Sequence, residues 1–242
     1  MLILAIDSAT PVAGIALLDE EKLIREEFIN YKKTHSETLM PMVDQLLGDC
    51  DRSLPDVSAL AITIGPGSFT GLRIGLATIK GLSLALGIPV VAISTLDVLA
   101  HNISFSDSLV CPLLNARKQE VYTAFYDNYN SYPHRLSEEM ACSPQEFIAM
   151  ALEKAQQQGK SRITLLGDGY YPYSDLFINN LGDKLLIAPT HLMLTRASAL
   201  GSLALERVTR GDFDEILTMR PRYIRLSEAE IKLGYQGIKF IF

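Results

Sequence analysis

The chain alternates between short apolar runs and longer segments whose apolar residues lie three or four positions apart. Short continuous runs are typical of buried strands, and the wider spacing is typical of helices packed on one face. In the first half this pattern predicts the order β-β-β-α-β-α-β. The predicted strands span 2–6, 12–18, 22–28, 59–64 and 90–93, and the predicted helices span 36–47 and 70–86. Acidic residues 19–21 form the turn of a predicted hairpin, and Gly87 is expected to end the second helix.

The second half has a similar alternation, although no sequence identity links it to the first. Its predicted strands span 109–114, 120–126, 163–166 and 185–187, and its predicted helices span 144–157 and 195–210. Ser143 and Glu146 are typical of a capping box with proline at the first helical position, and Thr195 is expected to cap the last helix. Pro41 is expected to kink or delay the first helix.

Alternating strands and helices favour an α/β fold with partly parallel sheets. The length of 242 residues is sufficient for two lobes. We therefore predict a lobe over 1–105 and a lobe over 106–242, with the boundary near 104–108. The helix at about 195–210 could pack back on the first lobe.

Composition narrows the classes of function. The 48% apolar content and 21% charged content are ordinary for a globular protein. A net charge of -6 makes the chain by itself a poor candidate to hold nucleic acid, unless basic residues cluster locally. The three cysteines have no C-x-x-C spacing, which favours reduced thiols in a cytosolic protein. No targeting leader or membrane span is evident, so we expect a cytoplasmic protein without a membrane partner.

The turn after the first strand is a candidate phosphate or metal site. Actin-like phosphotransferases place an Asp-x-Gly-Thr turn there, in which the aspartate holds hydrated magnesium and the glycine lets a phosphate approach. Asp7 and Thr10 match this pattern, but Ala9 occupies the glycine position. A turn in which Asp7 accepts a hydrogen bond from a backbone N–H is an equally consistent interpretation.

A glycine-rich segment, residues 65–73, connects a predicted strand to the second helix. Gly65 and Gly67 could help to cradle an anion at the helix N-terminus, so they join Asp7 and Thr10 as weak nucleotide-binding candidates. The segment is neither a Walker loop nor a dinucleotide fingerprint, because no Lys-Ser or Lys-Thr pair follows the last glycine and G-x-G-x-x-G fails by one position.

The second predicted helix is apolar on more than one side. Gly71, Gly75 and Thr78 lie along one side, and Leu72, Leu76 and Ile79 lie along another. Interior glycines cost about 1 kcal/mol each relative to alanine, so close packing against another helix is expected to compensate. Two alternatives stay open: the helix is wrapped by its own chain, or a partner subunit covers it.

Histidine and arginine residues provide the remaining candidates. His35 lies beside a helix start, where a cap or a surface residue is more common than a metal ligand. The four histidines show no metal-binding spacing, so we predict no metal site, no catalytic residue and no cofactor. Residues 220–225 hold three arginines and a tyrosine. They could pair with acidic groups of a partner, touch RNA phosphate, or form a solvated exit strand.

Four segments together resemble the TsaB family, also called YeaZ. They are the start at 5–10, the His-Ser-Glu segment at 35–37, the long glycine segment at 65–73, and the tail at 221–225 followed by Ala229 and Glu230. The glycine segment is the most specific of them. One departure is Ser8-Ala9, where the family usually has Thr-Ser.

The resemblance implies an actin-like ATPase (ASKHA, ribonuclease H-like) fold and an accessory role without intrinsic activity. Family members bind the catalytic paralogue TsaD through helices of the N-terminal lobe. With the TsaE ATPase, that pair transfers threonylcarbamoyl to the adenosine beside the anticodon of tRNAs reading ANN codons. The partner interface residues expected here are His35, Ser36, Leu39, Leu72, Arg73, Gly75, Leu76, Thr78 and Ile79. tRNA is then an indirect partner, and a homodimer through the same helices is expected in isolation.

Two other functions are weighed against this one. An actin-like phosphotransferase or nucleotide-binding protein would use Asp7 and Thr10 and should bind magnesium nucleotide tightly. A peptidase, an old label in the wider family, would need a metal or a nucleophile pair, and no local motif supplies either. TsaD has two histidines four residues apart on a helix for its metal, whereas His35 is followed four residues later by Leu39.

Overall fold

The computed structural model describes residues 1–30 and 35–225. The first lobe contains a sheet of β1 (Ile3–Asp7), β2 (Ala13–Leu18), β3 (Leu23–Ile29), β4 (Ala59–Thr63) and β5 (Val90–Ile93). Their spatial order is β3-β2-β1-β4-β5. β1, β2 and β3 pair antiparallel in a meander, whereas β1, β4 and β5 run parallel.

The second lobe contains a larger sheet of short strands. They are β6 (Leu109–Arg117), β7 (Glu120–Thr123), β8 (Tyr126–Asp127), β9 (His134–Arg135), β10 (Met140–Cys142), β11 (Ile163–Leu166) and β12 (Leu185–Ile187). The main order is β10-β7-β6-β11-β12, and β8 pairs with β6 and β9 beside this path. β10, β7 and β6 pair antiparallel, and β6, β11 and β12 run parallel.

The two sheets therefore repeat one topology. In each, an antiparallel group of three strands leads into a parallel group of three, and the first strand of the lobe lies at the centre. This repetition confirms the predicted pair of similar lobes, which the alternation of elements indicated although the two halves share no detectable sequence identity.

Helices cover both faces of the first sheet. The helices of the described residues are α1 (His35–Asp49), α2 (Phe69–Leu86), α3 (Thr95–His101), α4 (Pro144–Gln157), α5 (Ser174–Leu181) and α6 (Ala197–Thr209). Leu4 and Ile6 of β1 face α1 and α2, whereas Ile3 and Ala5 face α6. Alternate residues of a strand point to opposite faces, so a strand covered on both faces reads as a continuous apolar run.

The two cores take helices from each other's half of the chain. Leu96 and Leu99 of α3 are buried in the core of the second lobe. Leu200 and Ala204 of α6 are buried against the first sheet. The last helix thus returns to the first lobe, and α3 contributes to the second core although it lies before residue 105.

Several local predictions need correction. Short elements were missed, namely α3, α5 and β8 to β10, because they are too brief to show a period. α1 starts at His35 and continues through Pro41 without a delayed start. The capping box of Ser143 and Glu146 is confirmed. The prediction that Thr195 caps the last helix was wrong, since Arg196 holds that position without a side-chain cap.

The carboxylate of Glu26, which is distant in sequence, accepts hydrogen bonds at the start of α6 instead. Glu26 on β3 accepts hydrogen bonds from the backbone N–H of Ser198 at 3.0 Å and from its hydroxyl at 2.8 Å. Arg196 donates to the same carboxylate from Nε at 3.1 Å. An N-terminal helix N–H paired with a negative charge is favourable, so this contact ties α6 to the edge of the first sheet.

Candidate functional site

The turn after β1 is a closed structural turn. Asp7 is 1% exposed, and its Oδ1 accepts hydrogen bonds from the N–H of Ala9 at 3.1 Å and from the hydroxyl of Thr63 at 2.5 Å. Among the described residues Oδ2 has no hydrogen-bond donor. The side chain of Asp7 therefore caps its own turn, which is the structural alternative that the sequence left open.

Three glycines at intervals of four residues bring α2 onto this turn. A β-carbon on Gly67 would overlap the carbonyl of Ala9, and one on Gly71 would overlap the carbonyl of Ser8. One on Gly75 would overlap the hydroxyl of Ser8. Only glycine permits such close approach of a helix to a neighbouring backbone. The expectation that Gly75 makes room for a partner helix is therefore corrected: it makes room for the chain's own first turn.

Hydrogen bonds hold the glycine segment in this position. The N–H of Ser68 donates to the carbonyl of Ala9 at 2.7 Å, and the hydroxyl of Ser8 donates to the carbonyl of Gly71 at 2.9 Å. Ser68 also caps α2 by accepting from the N–H of Gly71. These three contacts hold the start of α2 against the turn after β1.

The four nucleotide-binding candidates do come together, but in packed surroundings. Thr10 is 8% exposed; its hydroxyl lies 3.3 Å from that of Thr195, and its carbonyl accepts from Nε2–H of His35 at 2.9 Å. Gly65 lies under the carbonyl of Arg222 and Gly67 under that of Ala9. The adjacent pocket holds about 70 Å³, whereas small-molecule sites usually measure roughly 300–1,000 Å³.

Residues 219–225, which we call the strap, cross from the first lobe to the second. Met219 is buried in the first core, and the N–H of Arg222 donates to the carbonyl of Ile64 at 2.7 Å. The ring of Tyr223 stacks on Phe69 with centroids 4.7 Å apart. The guanidinium of Arg73 lies over the ring of Phe69, 3.8 Å from the ring centroid.

The strap is joined to the second lobe by two ion pairs. Arg222 lies 3.2 Å from a carboxylate oxygen of Glu139, whose side chain is 1% exposed. Arg225 lies 2.5 Å from Glu120 and donates to the carbonyl of Ala116 at 3.1 Å. Two of the three tail arginines thus pair with acidic groups of their own chain, so the segment is more than a solvated exit strand.

Glu139 is the most deeply buried carboxylate of this junction. Burial raises its pKa, while the hydrogen bond from Ser94 and the charges of Arg135 and Arg222 act in the opposite direction. Arg135 also pairs with Asp97 of α3. The Glu139 carboxylate therefore connects three parts of the chain: the strap through Arg222, the start of α3 through Ser94, and the second sheet through Arg135.

The outer face of α2 is exposed and mostly apolar. Along it lie Ala77, Gly81 and Ala85, and Leu84 is 61% exposed. Leu217, which is 70% exposed, lies beside this face because its carbonyl accepts from Lys80 at 3.4 Å. On the adjacent α1, Met40 is 36% exposed. We call these outer sides of α1 and α2 the α1–α2 face.

The predicted interface residues divide between this face and the core. Four of them are exposed or half-buried: His35, Ser36, Arg73 and Thr78. Five are buried within the first lobe and are not available to another molecule: Leu39, Leu72, Gly75, Leu76 and Ile79. Thr78 additionally donates to the carbonyl of Ile74 one turn earlier.

Sequence reasoning missed Ala77 and Leu84. A usable signal was present, because Arg73 and Lys80 are the charged residues of α2 and lie two turns apart. Charged side chains favour the solvent side of a helix, so the residues of α2 that share the side of Arg73 and Lys80 belong to the outer face. Glu120 and Glu139 were also missed, and no local pattern links them to the tail.

Two further features concern residues 1–30 and 35–225. By length and composition α2 could cross a membrane, a test that the core helix of a folded protein also passes; here its inner side packs on the first sheet. Within the same residues, no three His, Cys, Asp or Glu side chains lie close enough together to hold a metal ion.

Two sequence relatives of this chain agree with one another in their descriptions. A family model described as TsaD, tRNA N6-adenosine threonylcarbamoyltransferase, matches residues 22–233. Bacillus subtilis (strain 168) has a "tRNA threonylcarbamoyladenosine biosynthesis protein TsaB" that is 35% identical over 232 residues, 96% of this chain and 97% of the relative. The Escherichia coli (strain K12) protein of the same name is 30% identical over 236 residues, 96% of this chain and 98% of the relative.

Solved structures support the same grouping. A Pseudomonas aeruginosa protein described as similar to peptidase YEAZ matches with a TM-score of 0.77 at 27% identity, over 93% of this chain and 99% of that one. The activator of the 2-hydroxyisocaproyl-CoA dehydratase from Clostridium difficile, solved with ADPNP, matches with a TM-score of 0.52 at 11% identity, over 89% and 99% of the two chains. At that identity the likeness concerns the fold alone, and it bears out the predicted actin-like ATPase fold.

Proposed function

The chain belongs to the TsaB (YeaZ) family of tRNA threonylcarbamoyladenosine biosynthesis proteins, and on that basis we propose that it is a non-catalytic subunit of this modification pathway. In this proposal it binds a TsaD-type paralogue through the α1–α2 face. The assembly, together with a TsaE-type ATPase, transfers threonylcarbamoyl to the adenosine beside the anticodon of tRNAs reading ANN codons. The proposed location is the cytoplasm.

The observation that carries the proposal is the exposed apolar face of α2. An exposed Leu84 beside Ala77, Gly81 and Leu217 is an unusual surface for a protein that acts alone, because contiguous apolar patches commonly mark interaction sites. Small residues along the helix would let a partner helix approach closely. The inner glycines do not serve this purpose, so the binding role rests on Ala77 and Gly81 rather than on Gly75.

The packing of the first turn supports a non-catalytic role. In a phosphotransferase of this fold the turn after β1 must be open to a phosphate, whereas here α2 lies on it and Ala9 is fully buried. The strap adds a second cover over Gly65. These contacts disfavour the alternative of an actin-like phosphotransferase, and nothing in the described residues favours a peptidase.

A matched pair of substitutions tests the partner surface. Ala77 on α2 and Ala149 on α4 are both exposed alanines within helices, but only Ala77 lies on the α1–α2 face. We expect Ala77→Arg to weaken binding to the TsaD-type paralogue at least about tenfold, equivalent to roughly 1.4 kcal/mol, when the affinity is measured by titration calorimetry. Ala149→Arg should leave the affinity unchanged.

Thermal unfolding of both variants separates loss of binding from loss of folding. An arginine at either site points into solvent and should leave the midpoint within a few degrees of the parent. Unchanged affinity of the folded Ala77→Arg variant would reject the proposed surface. Failure of the parent chain to bind the paralogue would reject the proposed function itself.

A further inference from the structure

We propose that the tip of the β6–β7 hairpin and the strap together form a contact surface for the phosphate backbone of the tRNA substrate. The inference rests on the proposed function, since it assigns a direct RNA contact to a chain proposed as an accessory subunit. It concerns the second lobe, the strap and Arg73 at the N-terminal end of α2, and otherwise lies apart from the α1–α2 face by which the paralogue is proposed to bind.

Four of the exposed basic residues on this surface have no carboxylate partner among the described residues: Arg73, Arg117, Lys118 and Arg220. Arg222 and Arg225, in contrast, each form an ion pair with a carboxylate. Free exposed cations are the groups that replace counterions at a nucleic-acid backbone. The chain as a whole has a net charge of -6. A group of unpaired basic side chains on one surface is therefore a local feature that differs from the rest of the protein.

Contacts on both sides of the strap make the basic groups one continuous surface. Nε of Arg73 donates to the hydroxyl of Tyr223 at 3.0 Å. Two residues later, Arg225 donates to the carbonyl of Ala116, which directly precedes Arg117. Because an extended residue spans about 3.3–3.6 Å, the short strap carries the positive surface from the start of α2 to the hairpin tip.

The carboxylates in this region do not cancel the charge. Glu120 and Glu139 are paired with the two strap arginines, and Asp168 accepts from the N–H of Asn115 at 3.0 Å. Two of these carboxylates are therefore already neutralised by strap arginines. The Glu139 side chain is only 1% exposed, whereas Arg117 and Lys118 at the hairpin tip are exposed. The groups that face solvent there are therefore basic.

The hairpin tip combines an unusual backbone conformation with exposed side chains. Arg117, Lys118 and Gln119 have φ angles of 59°, 48° and 62°, three consecutive left-handed residues without glycine. Such conformations are costly for residues with a β-carbon and are concentrated at functional sites. All three side chains are exposed. The equivalent turn of the first lobe, between β1 and β2, is buried by α2. In the described part of the chain, the turn between β6 and β7 has no such helix over it and is exposed.

The partner that suits this surface is a polyanion. The basic groups are spread along a strap and a hairpin rather than gathered around a cavity, which matches a row of backbone phosphates better than a small anion. Tyr223 and Phe69 add aromatic surface beside them. Since the relatives of this chain are named for tRNA modification, we assign the polyanion to tRNA.

Salt dependence of tRNA binding tests the inference. The probe is an unmodified tRNA transcript that reads an ANN codon, titrated by fluorescence anisotropy against the assembled complex with the TsaD-type paralogue over a range of salt concentrations. The test variant is Arg117→Glu with Lys118→Glu. The control is Lys22→Glu with Lys184→Glu, which changes the net charge equally at two exposed lysines far along the chain. Calorimetry verifies that both variants still assemble.

The expected result is at least about tenfold weaker binding by the hairpin variant than by the control at low salt. Each lost phosphate contact should reduce the slope of log affinity against log salt by roughly 0.7–0.9, so two contacts should reduce it by roughly 1.4–1.8. Arg220→Gln, a milder change outside the hairpin, should reduce the slope by about half as much and guards against misfolding of the tip.

Two results would overturn the inference in distinguishable ways. If the hairpin variant and Arg220→Gln assemble and bind tRNA with the affinity and slope of the control, the RNA contact is wrong and the proposed function stands. If the parent chain does not assemble with the paralogue, the proposed function fails and the RNA contact falls with it.

Discussion

Gly75 packs so closely on Ser8 that a β-carbon at Gly75 would overlap the Ser8 hydroxyl. Gly81, only six residues later in the same helix, has no heavy atom within 4 Å of the place where its β-carbon would lie. The two glycines therefore serve different purposes. Gly75 sets the distance between α2 and β1, whereas Gly81 leaves a smooth outer surface.

This difference predicts opposite effects of one substitution. Gly75→Ala should destabilise the protein by about 1–3 kcal/mol, because the added methyl must displace Ser8 or the helix. Gly81→Ala should stabilise it by up to about 1 kcal/mol, since alanine is the better helix former. Urea unfolding of both variants measures the free energies. Equal effects at the two positions would contradict the packing described here.

Self-association through the α1–α2 face predicts a change in oligomeric state. An apolar helix face that lacks its partner can pair with a second copy in a symmetric contact. We expect the isolated chain to sediment as a dimer at high concentration and the Ala77→Arg variant to sediment as a monomer. Ala149→Arg is the control. A strictly monomeric parent chain would exclude this homodimer.

The contact of Glu26 with α6 predicts a loss of stability at acidic pH. Burial by itself would raise the pKa of Glu26, but the hydrogen bonds from Arg196 and Ser198 outweigh it, so the pKa is lowered from 4.5. A lowered pKa gives stability that is present above the unfolded-state value and is lost as the pH falls through the folded-state value. Glu26→Gln should therefore cost about 1–2 kcal/mol at pH 7 and flatten the dependence of unfolding free energy on pH below 4.5.

The comparison requires unfolding curves at several pH values for both proteins. Glu21→Gln is a suitable control because Glu21 is exposed in the β2–β3 turn. A Glu26→Gln variant that retains the acid sensitivity of the parent would show that other carboxylates cause it.

Removal of the ion pair between Arg225 of the strap and Glu120 should loosen the structure locally and should change the overall stability little. The Arg225–Glu120 pair is partly exposed, with 23% and 35% of the side chains accessible, so its loss should cost no more than about 1 kcal/mol. Arg225→Met should nevertheless speed amide hydrogen exchange in residues 116–120 and in the strap. Arg210→Met, which removes an exposed pair with Glu206 on α6, should leave exchange in those two segments unchanged.

The closed first turn predicts that the isolated chain binds no nucleotide saturably at millimolar concentration. Asp7 accepts hydrogen bonds from Ala9 and Thr63, and the carbonyls of Ala9 and Ser8 lie against Gly67 and Gly71, so a phosphate has little space beside this turn. Calorimetry with magnesium ATP and ADP checks this. Saturable binding that is lost in Asp7→Asn would restore the phosphotransferase alternative.

Much of the fold could be predicted from local patterns. Apolar runs located β1, β4 and β11 because strands buried on both faces are mostly apolar. The capping box at Ser143 located the start of α4 because its hydrogen bonds lie within four residues. The site was predicted less well. Leu72 and Ile79 were assigned to a partner surface because apolar periodicity reveals that a residue is buried, but not what buries it.

By itself, the sequence determined the α/β class, the two repeated lobes, the family and the residues that cluster around the first turn. The tertiary structure alone decided that α6 returns to the first lobe, that Gly75 faces Ser8, and that Arg222 and Arg225 pair with Glu139 and Glu120. The physical reason is the range of the interactions. Periodicity and capping depend on neighbours a few residues apart, whereas these contacts join segments that only the folded chain brings together.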